Sequence, residues 1–317
     1  MELVSIAEIR AAAENIGPVA VRTPVLPCLW ADPDRPLWLK PENLQPIGSF
    51  KIRGAYTALS RLSEADRACG VVAYSSGNHA QAVAYAARAF GVPAVIVIEA
   101  TAPAIKVEAT RALGAEVVQV PLPERETAAA EIGRERGMTL IPPFDHPDVI
   151  AGQGTIGLEI VTDLPDVDLV LVPISGGGLA SGIAAAVKAL RPSAAVFGVE
   201  PEIAADTAAG FAAGERVHLP PEQRARTMAD GLRAEPSELT FAHLRKLIDG
   251  VVTVTEDEIL AAVGTLARRS HLVAEPSGAV TTAAYLNRAA DLPAGRTVAV
   301  VSGGNIDPAL FAKALQD

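Results

Sequence analysis

The sequence predicts an α/β protein whose strands form parallel sheets covered by helices on both faces. Three observations carry this reading. From about residue 70, apolar runs of strand length alternate with segments of helical spacing, the pattern of buried parallel strands joined by crossover helices. The proline-rich segment Pro142-Pro143-Phe144-Asp145-His146-Pro147 interrupts that series, and a second α/β series follows, so the segment marks a candidate domain crossing. The chain has 317 residues, half of them hydrophobic, enough for two domains or one large α/β unit.

Residues 5–17 carry apolar side chains at helical spacing (Ile6, Ile9, Ala13, Ile16). Ser5 is the expected N-cap, Glu8 its capping-box partner, and Gly17-Pro18 the stop. A short strand is expected at 37–40 and a helix at 55–62. The first α/β series places strands at 71–74, 94–98, 116–120 and 139–141. Its helices run to about residue 90, over 103–113 with Gly114 as the C′ residue, and over 124–136. The second series places helices at 153–163 and 179–190 and strands at 169–173, 195–199, 251–254 and 298–301. Thr255 opens a further helix with acids in its first turn, where the helix dipole favours them. Residues 202–235 read as irregular.

Composition narrows the function classes. A net charge of −10 argues against nucleic acid or an anionic membrane as the main partner. The first eight residues lack the basic start and apolar run of a signal peptide, and no segment has the ~18 uninterrupted apolar residues of a membrane span. Cys28 and Cys69 are the only cysteines. They form no disulfide framework and no Cys/His zinc pattern, so a reducing cytoplasm is the expected setting.

The stretch Pro46-Ile47-Gly48-Ser49-Phe50-Lys51-Ile52-Arg53-Gly54-Ala55 places a lone lysine between Phe50 and Ile52. Apolar neighbours strip water from an ammonium and lower its pKa, and a neutral amine can hold an aldehyde cofactor as a Schiff base. Alone, the segment is as compatible with a lysine snorkelling from a loop-to-helix junction. Other turns add to it. Ser175-Gly176-Gly177-Gly178-Leu179 joins a strand to a helix, an arrangement in which backbone N–H groups and the helix N-terminus favour a phosphate. It is neither a nucleotide-hydrolase loop nor a dinucleotide fingerprint. Ser75-Ser76-Gly77-Asn78-His79 supplies Asn78 for a phenolate oxygen and Ser75 for a carboxylate. Ser302-Gly303-Gly304-Asn305 supplies a hydroxyl for a ring nitrogen. Each turn by itself also reads as an ordinary strand-to-helix cap. Three of them follow expected parallel strands, whose C-terminal ends border the ligand crevice in such sheets. With Lys51 they make an inventory that fits pyridoxal 5′-phosphate (PLP).

The run from Leu39 through Lys40-Pro41-Glu42-Asn43-Leu44-Gln45 to Ala55 resembles the cofactor-lysine motif of fold-type II PLP enzymes. Within them it is similar to the serine/threonine dehydratase and serine racemase family, of the tryptophan synthase beta-like superfamily. Ser75 to Gln81, Ala151-Gly152-Gln153-Gly154-Thr155, Gly176 to Leu179, Ala229-Asp230-Gly231, Glu275-Pro276-Ser277-Gly278-Ala279 and Ser302 to Asn305 look like that family's blocks, in its order. The resemblance covers nearly the whole chain. It implies two open, twisted, mostly parallel sheets, with a large PLP-binding domain from 1–65 and 146–317 and a small inserted domain from 66–145. It implies that Lys51 holds PLP, Phe50 packs on it, Asn78 bonds its 3-hydroxyl, and Ser302 meets its ring nitrogen. Gly176, Gly177, Gly178 and Leu179 bind its phosphate, and Glu275 and Gly303 complete the cofactor site. The substrate carboxylate would lie on Ser75, Asn78 and His79.

The implied reaction converts a 3-hydroxy amino acid to a 2-oxo acid and ammonia, with Lys51 as the base at the α-carbon. A serine-racemase activity with side elimination, a threo-3-hydroxyaspartate dehydratase, and a non-catalytic PLP- or nucleotide-binding regulator are the alternatives. Ser76 is expected as a second acid/base on the opposite substrate face. Arg125, Phe144, Arg233 and Ala234 would lie near the substrate side chain, where an arginine selects a β-carboxylate or is simply a solvated surface group. Glu200, the Ala204 carbonyl and Asp206 match the family's Mg²⁺ or Ca²⁺ site, oxygen ligands that suit hard cations. Ser175 departs from the glycine of many relatives. A homodimer is expected, as is the absence of a C-terminal regulatory domain.

Overall fold

The computed structural model describes residues 2–17, 19–75, 77–102 and 104–316. Its strands are β1 (Leu26–Pro27), β2 (Leu37–Pro41), β3 (Val71–Tyr74), β4 (Ala94–Glu99), β5 (Glu116–Val120), β6 (Thr139–Leu140), β7 (Leu169–Pro173), β8 (Ala195–Pro201), β9 (Gly250–Val254) and β10 (Thr297–Val301). Its helices are α1 (Ile6–Ile16), α2 (Lys51–Ser60), α3 (Glu64–Cys69), α4 (Asn78–Phe90), α5 (Ala104–Ala112), α6 (Arg125–Arg136) and α7 (Pro147–Asp163). They continue with α8 (Gly178–Leu190), α9 (Asp206–Ala213), α10 (Pro221–Arg224), α11 (Glu238–Leu247), α12 (Glu256–Ser270), α13 (Pro276–Asn287) and α14 (Pro308–Ala314).

The strands form two sheets. One has the order β1-β2-β10-β7-β8-β9, parallel except for the β1–β2 pair. The other, β5-β4-β3-β6, is wholly parallel, and its strands fall in sequence between β2 and β7. Every residue of β7 and β10 is buried, as continuous apolar strands covered on both faces must be. β5 instead carries exposed residues at Glu116 and Gln119, as an edge strand tolerates. No helix of the described residues is long and apolar enough to cross a membrane.

The expected two parallel sheets are present, and several ends match. The Ser5–Glu8 capping box closes on α1, and a Thr255–Glu258 box opens α12. Gly91 and Gly137 end α4 and α6 in the left-handed conformation. Other elements differ. The helix expected at 153–163 begins at Pro147, so the proline-rich segment is partly a helix start. The His146 side chain accepts from Asp148 N, and proline at the first position needs no donor. The strand expected at 139–141 is two residues long. The segment read as irregular contains α9, closed by Gly214 at φ +81°, and a helix not expected at all, α11, stands on a Ser237 cap.

Helices α7 and α8 pack backbone to backbone through glycines. A Cβ on Gly154 would lie 2.9 Å from Gly182 O, and one on Gly157 would lie 2.7 Å from Ile183 O. A Cβ on Gly182 would lie 2.5 Å from Gly154 N and would overlap Ile150 O. Neighbouring backbone cannot step aside as a flexible side chain can. Gly182→Ala is therefore expected to destabilise the protein by about 1–3 kcal/mol, the usual effect of overpacking. An unchanged urea midpoint would show that the two helices have slack.

Candidate cofactor and active site

Lys51 is the first residue of α2, and the strand-end turn after β10 holds the segment that delivers it. Ser49 and Gly303 form an antiparallel bridge, Phe50 N donates to Ser302 O (3.1 Å), and Gly304 N donates to Gly48 O (2.9 Å). Gly48 has φ +72°, and a Cβ there would crowd the Asn305 side chain at 2.6 Å, so glycine is required twice over. Lys51 Nζ donates to Pro143 O at 2.7 Å and lies 5.1 Å from the centre of the Phe50 ring. The residue is only partly buried, but the protein around it desolvates the ammonium and pulls its pKa down to about 8.

Two residues on, Arg53 is fully buried. It donates to both Glu42 oxygens (2.8 Å each), to both Glu159 oxygens (2.7 and 2.9 Å), to Thr155 Oγ1 and to Val21 O. Lys40, equally buried, completes the group by donating to Glu159 Oε2 and Thr23 O at 2.6 Å each. Burial works against the ionised Glu42, but the Arg53 guanidinium outweighs it and holds the carboxyl below its usual range. This network binds the first turn of α2 to the end of β2 and to the middle of α7.

The serine–glycine turn after β7 leads into α8 with no side chain capping the helix, so its first N–H groups are free for an anion. Gly177 sits at φ +85°. The Phe144 ring packs so closely on the turn that a Cβ on Gly176 would overlap it, and one on Gly178 would lie 2.9 Å from the Phe144 Cβ. Phe144 adjoins Pro143, the acceptor of Lys51, so the lysine and the glycine cup share one wall. α4 also starts without a side-chain cap, on Gly77, whose N–H is taken by Ser75 Oγ at 3.1 Å.

Asn78 bridges the two sheets. Its Nδ2 donates to Glu275 Oε1 and its Oδ1 accepts from Asn305 Nδ2, both at 2.7 Å. Burial, followed by the nearby Asp230 carboxylate, pushes the Glu275 carboxyl up to about 7. A Cβ on Gly303 would overlap Glu275, which explains the glycine. Ser302 is buried, and its hydroxyl donates to Ser277 O at 3.3 Å. The structure thus brings Phe50, Lys51, Asn78, Glu275, Ser302 and Gly303 together, with residues 176–179 joined to them through Phe144.

His79 sits differently from its expected use. It is buried, its Nε2 lies 2.8 Å from Ile141 O, and burial followed by the Lys51 charge pulls its pKa down to about 3. The neutral ring must donate from Nε2 to that carbonyl, so residue 79 offers an anion its backbone N–H in the first turn of α4. Ser76 lies outside the described residues. Arg125 Nη1 pairs with Glu99 Oε2 at 2.9 Å, and its buried Nε has no partner among the described residues. Arg233 donates to Thr227 O at 2.6 Å and also keeps a buried, unpartnered Nε.

Glu200 and Asp206 are both buried. Glu200 accepts from Thr207 N (3.1 Å) and Ala208 N (2.9 Å), while Asp206 Oδ2 has no partner among the described residues. Burial first, with Asp206 second, pushes Glu200 up to about 8; burial pushes Asp206 up to about 7. Ala204 is buried in the turn between them. No group of three or more His, Cys, Asp or Glu with metal-holding geometry occurs among the described residues. Sequence reasoning assigned no role to Asn305, the Pro143 carbonyl or the Arg53 network. Asn305 and Arg53 stood inside quoted motifs. The Pro143 carbonyl left no signal, because any residue supplies one.

A desolvated lysine amine facing a glycine cup at an uncapped helix start has the chemistry PLP requires: an imine former, an anion cradle and neutral polar partners for the ring. The chain belongs to the family described as pyridoxal-phosphate dependent enzyme, whose model matches residues 16–303. Its relatives include L-threonine ammonia-lyase of Thermotoga maritima, 47% identical over 86% of this chain and 67% of that protein. L-threo-3-hydroxyaspartate ammonia-lyase of a Pseudomonas species is 40% identical over the full length of both. The structure of maize serine racemase superposes with a TM-score of 0.93 at 38% identity, over 99% of this chain and 98% of that one.

The desolvation of Lys51 has a consequence for the cofactor-free protein. Its folded pKa is depressed, so below about 8 the folded state carries an ammonium that it solvates poorly. Lys51→Met is expected to raise the stability of the apoprotein at pH 7. The gain should shrink between pH 8 and the ordinary lysine range, where only the unfolded wild-type chain stays protonated. A gain independent of pH, read from denaturation midpoints, would contradict the depressed pKa.

Proposed function

We propose that the protein is an ammonia-lyase that dehydrates and deaminates a 3-hydroxy amino acid to a 2-oxo acid and ammonia. The observation that carries the reading is the Lys51 amine, desolvated and held on the Pro143 carbonyl beside an uncapped glycine turn. The names of the relatives support the same class. PLP would be held by Lys51, Phe50, Asn78, Glu275, Ser302, Gly303 and residues 176–179, and when bound it supplies the electron sink at the α-carbon. The chain's own groups do the rest. Ser75, Asn78 and the free N–H groups of α4 hold the substrate carboxylate. The Lys51 amine, its pKa lowered to about 8 by desolvation, has a neutral fraction near physiological pH that takes the α-proton. Ser302 would turn its hydroxyl from Ser277 O toward the ring nitrogen and, as a neutral donor, would not protonate it. That would favour expulsion of the β-hydroxyl, which takes the proton back from the Lys51 ammonium and leaves as water, over a long-lived carbanion; water then hydrolyses the released enamine to the 2-oxo acid and ammonia. Phe144 shields the glycine cup from solvent. Arg125, with an unpartnered Nε, and Arg233 are the groups suited to a substrate β-carboxylate.

The test is a panel of L-serine, L-threonine, L-threo-3-hydroxyaspartate and 3-phenylserine with the holoenzyme, reading 2-oxo acid and ammonia. At least one should turn over, and Arg125→Gln should raise KM for the hydroxyaspartate about tenfold or more relative to L-serine, the effect of losing a charged hydrogen bond. No 2-oxo acid from any of them would sink the reading. A serine-racemase activity is the second reading, favoured by the likeness to the maize enzyme. Chiral analysis of the L-serine reaction decides it, and Ser76→Ala should remove any D-serine formed.

We also infer a divalent cation, Mg²⁺ or Ca²⁺, on Glu200, the Ala204 carbonyl and Asp206. Two carboxyls held near neutrality by burial, one with an unpartnered oxygen, suit a hard cation. Either ion should raise the thermal midpoint of the holoenzyme, and Glu200→Gln should abolish the shift. No shift with either would remove the metal from the account. Residues 1–65 with 146–317, and 66–145, are read as the two domains, in keeping with their separate sheets. A homodimer is inferred from Leu29 (96% exposed), Val273 and Leu286, apolar side chains exposed on the larger unit, and sedimentation equilibrium checks it. The free cysteines fit a reducing cytoplasm.

A further inference from the structure

Residues 230–235 run between two of the turns that border the crevice, and a serine side chain holds each end. At one end Gly231 N donates to Ser277 Oγ at 3.0 Å, in the first turn of α13. Glu275 N, at the cap of the same helix, donates to Gly303 O at 3.0 Å, so this end is fixed to the turn after β10. At the other end the Ser175 hydroxyl makes two bonds to one residue: it accepts from Ala234 N at 3.0 Å and donates to Ala234 O at 3.2 Å. Ser175 directly precedes Gly176, on which the Phe144 ring lies.

The outer side of the segment is tied as well. The Arg224 guanidinium donates to Arg233 O and pairs with Glu235 at 3.3 Å, while Glu235 accepts from Leu219 N at 2.9 Å. Asp230 reaches Lys106 on α5, on the side of the four-stranded sheet, at 3.3 Å. The segment is therefore a strap along the crevice, from the Ser302 turn to the glycine cup. Ala234 projects only a methyl group, so the strap's position, more than side-chain bulk, decides how much room remains beside the cup.

We propose that this strap sets the width of the pocket for the substrate's β-substituent, and that Ser175 is the specificity-determining positioning residue that holds it. The inference rests on the lyase reading of the site and adds what selects among hydroxy amino acids. Serine does here what glycine cannot. Its one hydroxyl serves both polar groups of the Ala234 backbone, which otherwise have no partner in the turn after β7.

The experiment compares wild-type, Ser175→Ala and Ser175→Thr holoenzymes. Ser175→Ala should keep the visible absorbance of the bound cofactor. It should speed amide exchange over residues 232–235, Ala234 above all, about tenfold, as expected for one lost hydrogen bond. The preference in kcat/KM for L-serine over 3-phenylserine should fall several-fold, through KM, as the pocket loosens. Ser175→Thr keeps the hydroxyl and should return both readouts toward wild type. The relative binding of L-alanine and L-phenylalanine, read by the cofactor's absorbance, reports the same pocket without turnover. A wild type inactive on every hydroxy amino acid would therefore defeat the lyase reading while still testing the strap. Unchanged exchange in Ser175→Ala would overturn the strap. Faster exchange with unchanged substrate and binding ratios would overturn its role in selection.

Discussion

The buried charge cluster around Arg53 is the constraint on which the rest depends. A guanidinium with no solvent contact survives only if carboxylates compensate it, and Glu42 and Glu159 do so from two different elements. The cluster sums to neutrality with Lys40, and its members accept or donate within the group or to nearby backbone. Removing one partner of such a pair typically costs about 3–5 kcal/mol, because the other is left charged and dry. The consequence is geometric. Arg53 lies two residues from Lys51, so whatever fixes the guanidinium fixes the first turn of α2. Glu159 lies on α7, which begins just after the Pro143 carbonyl that receives the lysine. The two contacts that place the amine thus trace back to one helix.

That helix is itself held without adjustable parts. Glycines bring α7 against α8, and α8 starts at the glycine cup. The lysine, the cup and the charge cluster are therefore linked through α7 and α8, which pack on the six-stranded sheet. The four-stranded sheet supplies the other side of the site. It presents Asn78 to Glu275 and Asn305, the start of α4 to an anion, and Lys106 to Asp230. Several of these contacts across the crevice are single polar bonds between side chains, in contrast to the packed glycine interface. The two halves of the site are joined below by a buried apolar cluster in which Ile52, Ala55 and Leu59 of α2 pack with Ala80, Val83 and Ala87 of α4, and at the strand ends by these polar bonds.

Much of this was legible in the chain, and for definable reasons. The parallel sheets announce themselves because strands buried on both faces must be continuously apolar, as Leu169 to Pro173 and Val298 to Val301 are. The turns at strand ends announce themselves because only glycine tolerates the backbone geometry at Gly48 and Gly177. Other features were not legible. The early start of α7 was hidden because prolines read as breaks, yet proline is welcome at a first helical position. α11 was hidden in a stretch whose polar and charged residues masked its Ser237 cap. His79 looked like a side chain for a carboxylate, and only the approach of the Ile141 carbonyl shows that its ring is already committed.

The sequence by itself determined the class of chemistry: a lysine flanked by Phe50 and Ile52, glycine-rich strand ends and neutral hydroxyls are local properties, written in consecutive residues. Tertiary structure alone decided which groups are charged and which are free. The pKa of Lys51, the pairing of Arg53 with Glu159 and the two bonds from Ser175 to Ala234 join residues between 59 and 106 positions apart or depend on burial by the whole fold. Desolvation and long-range pairing act through space, and no spacing in the chain encodes them.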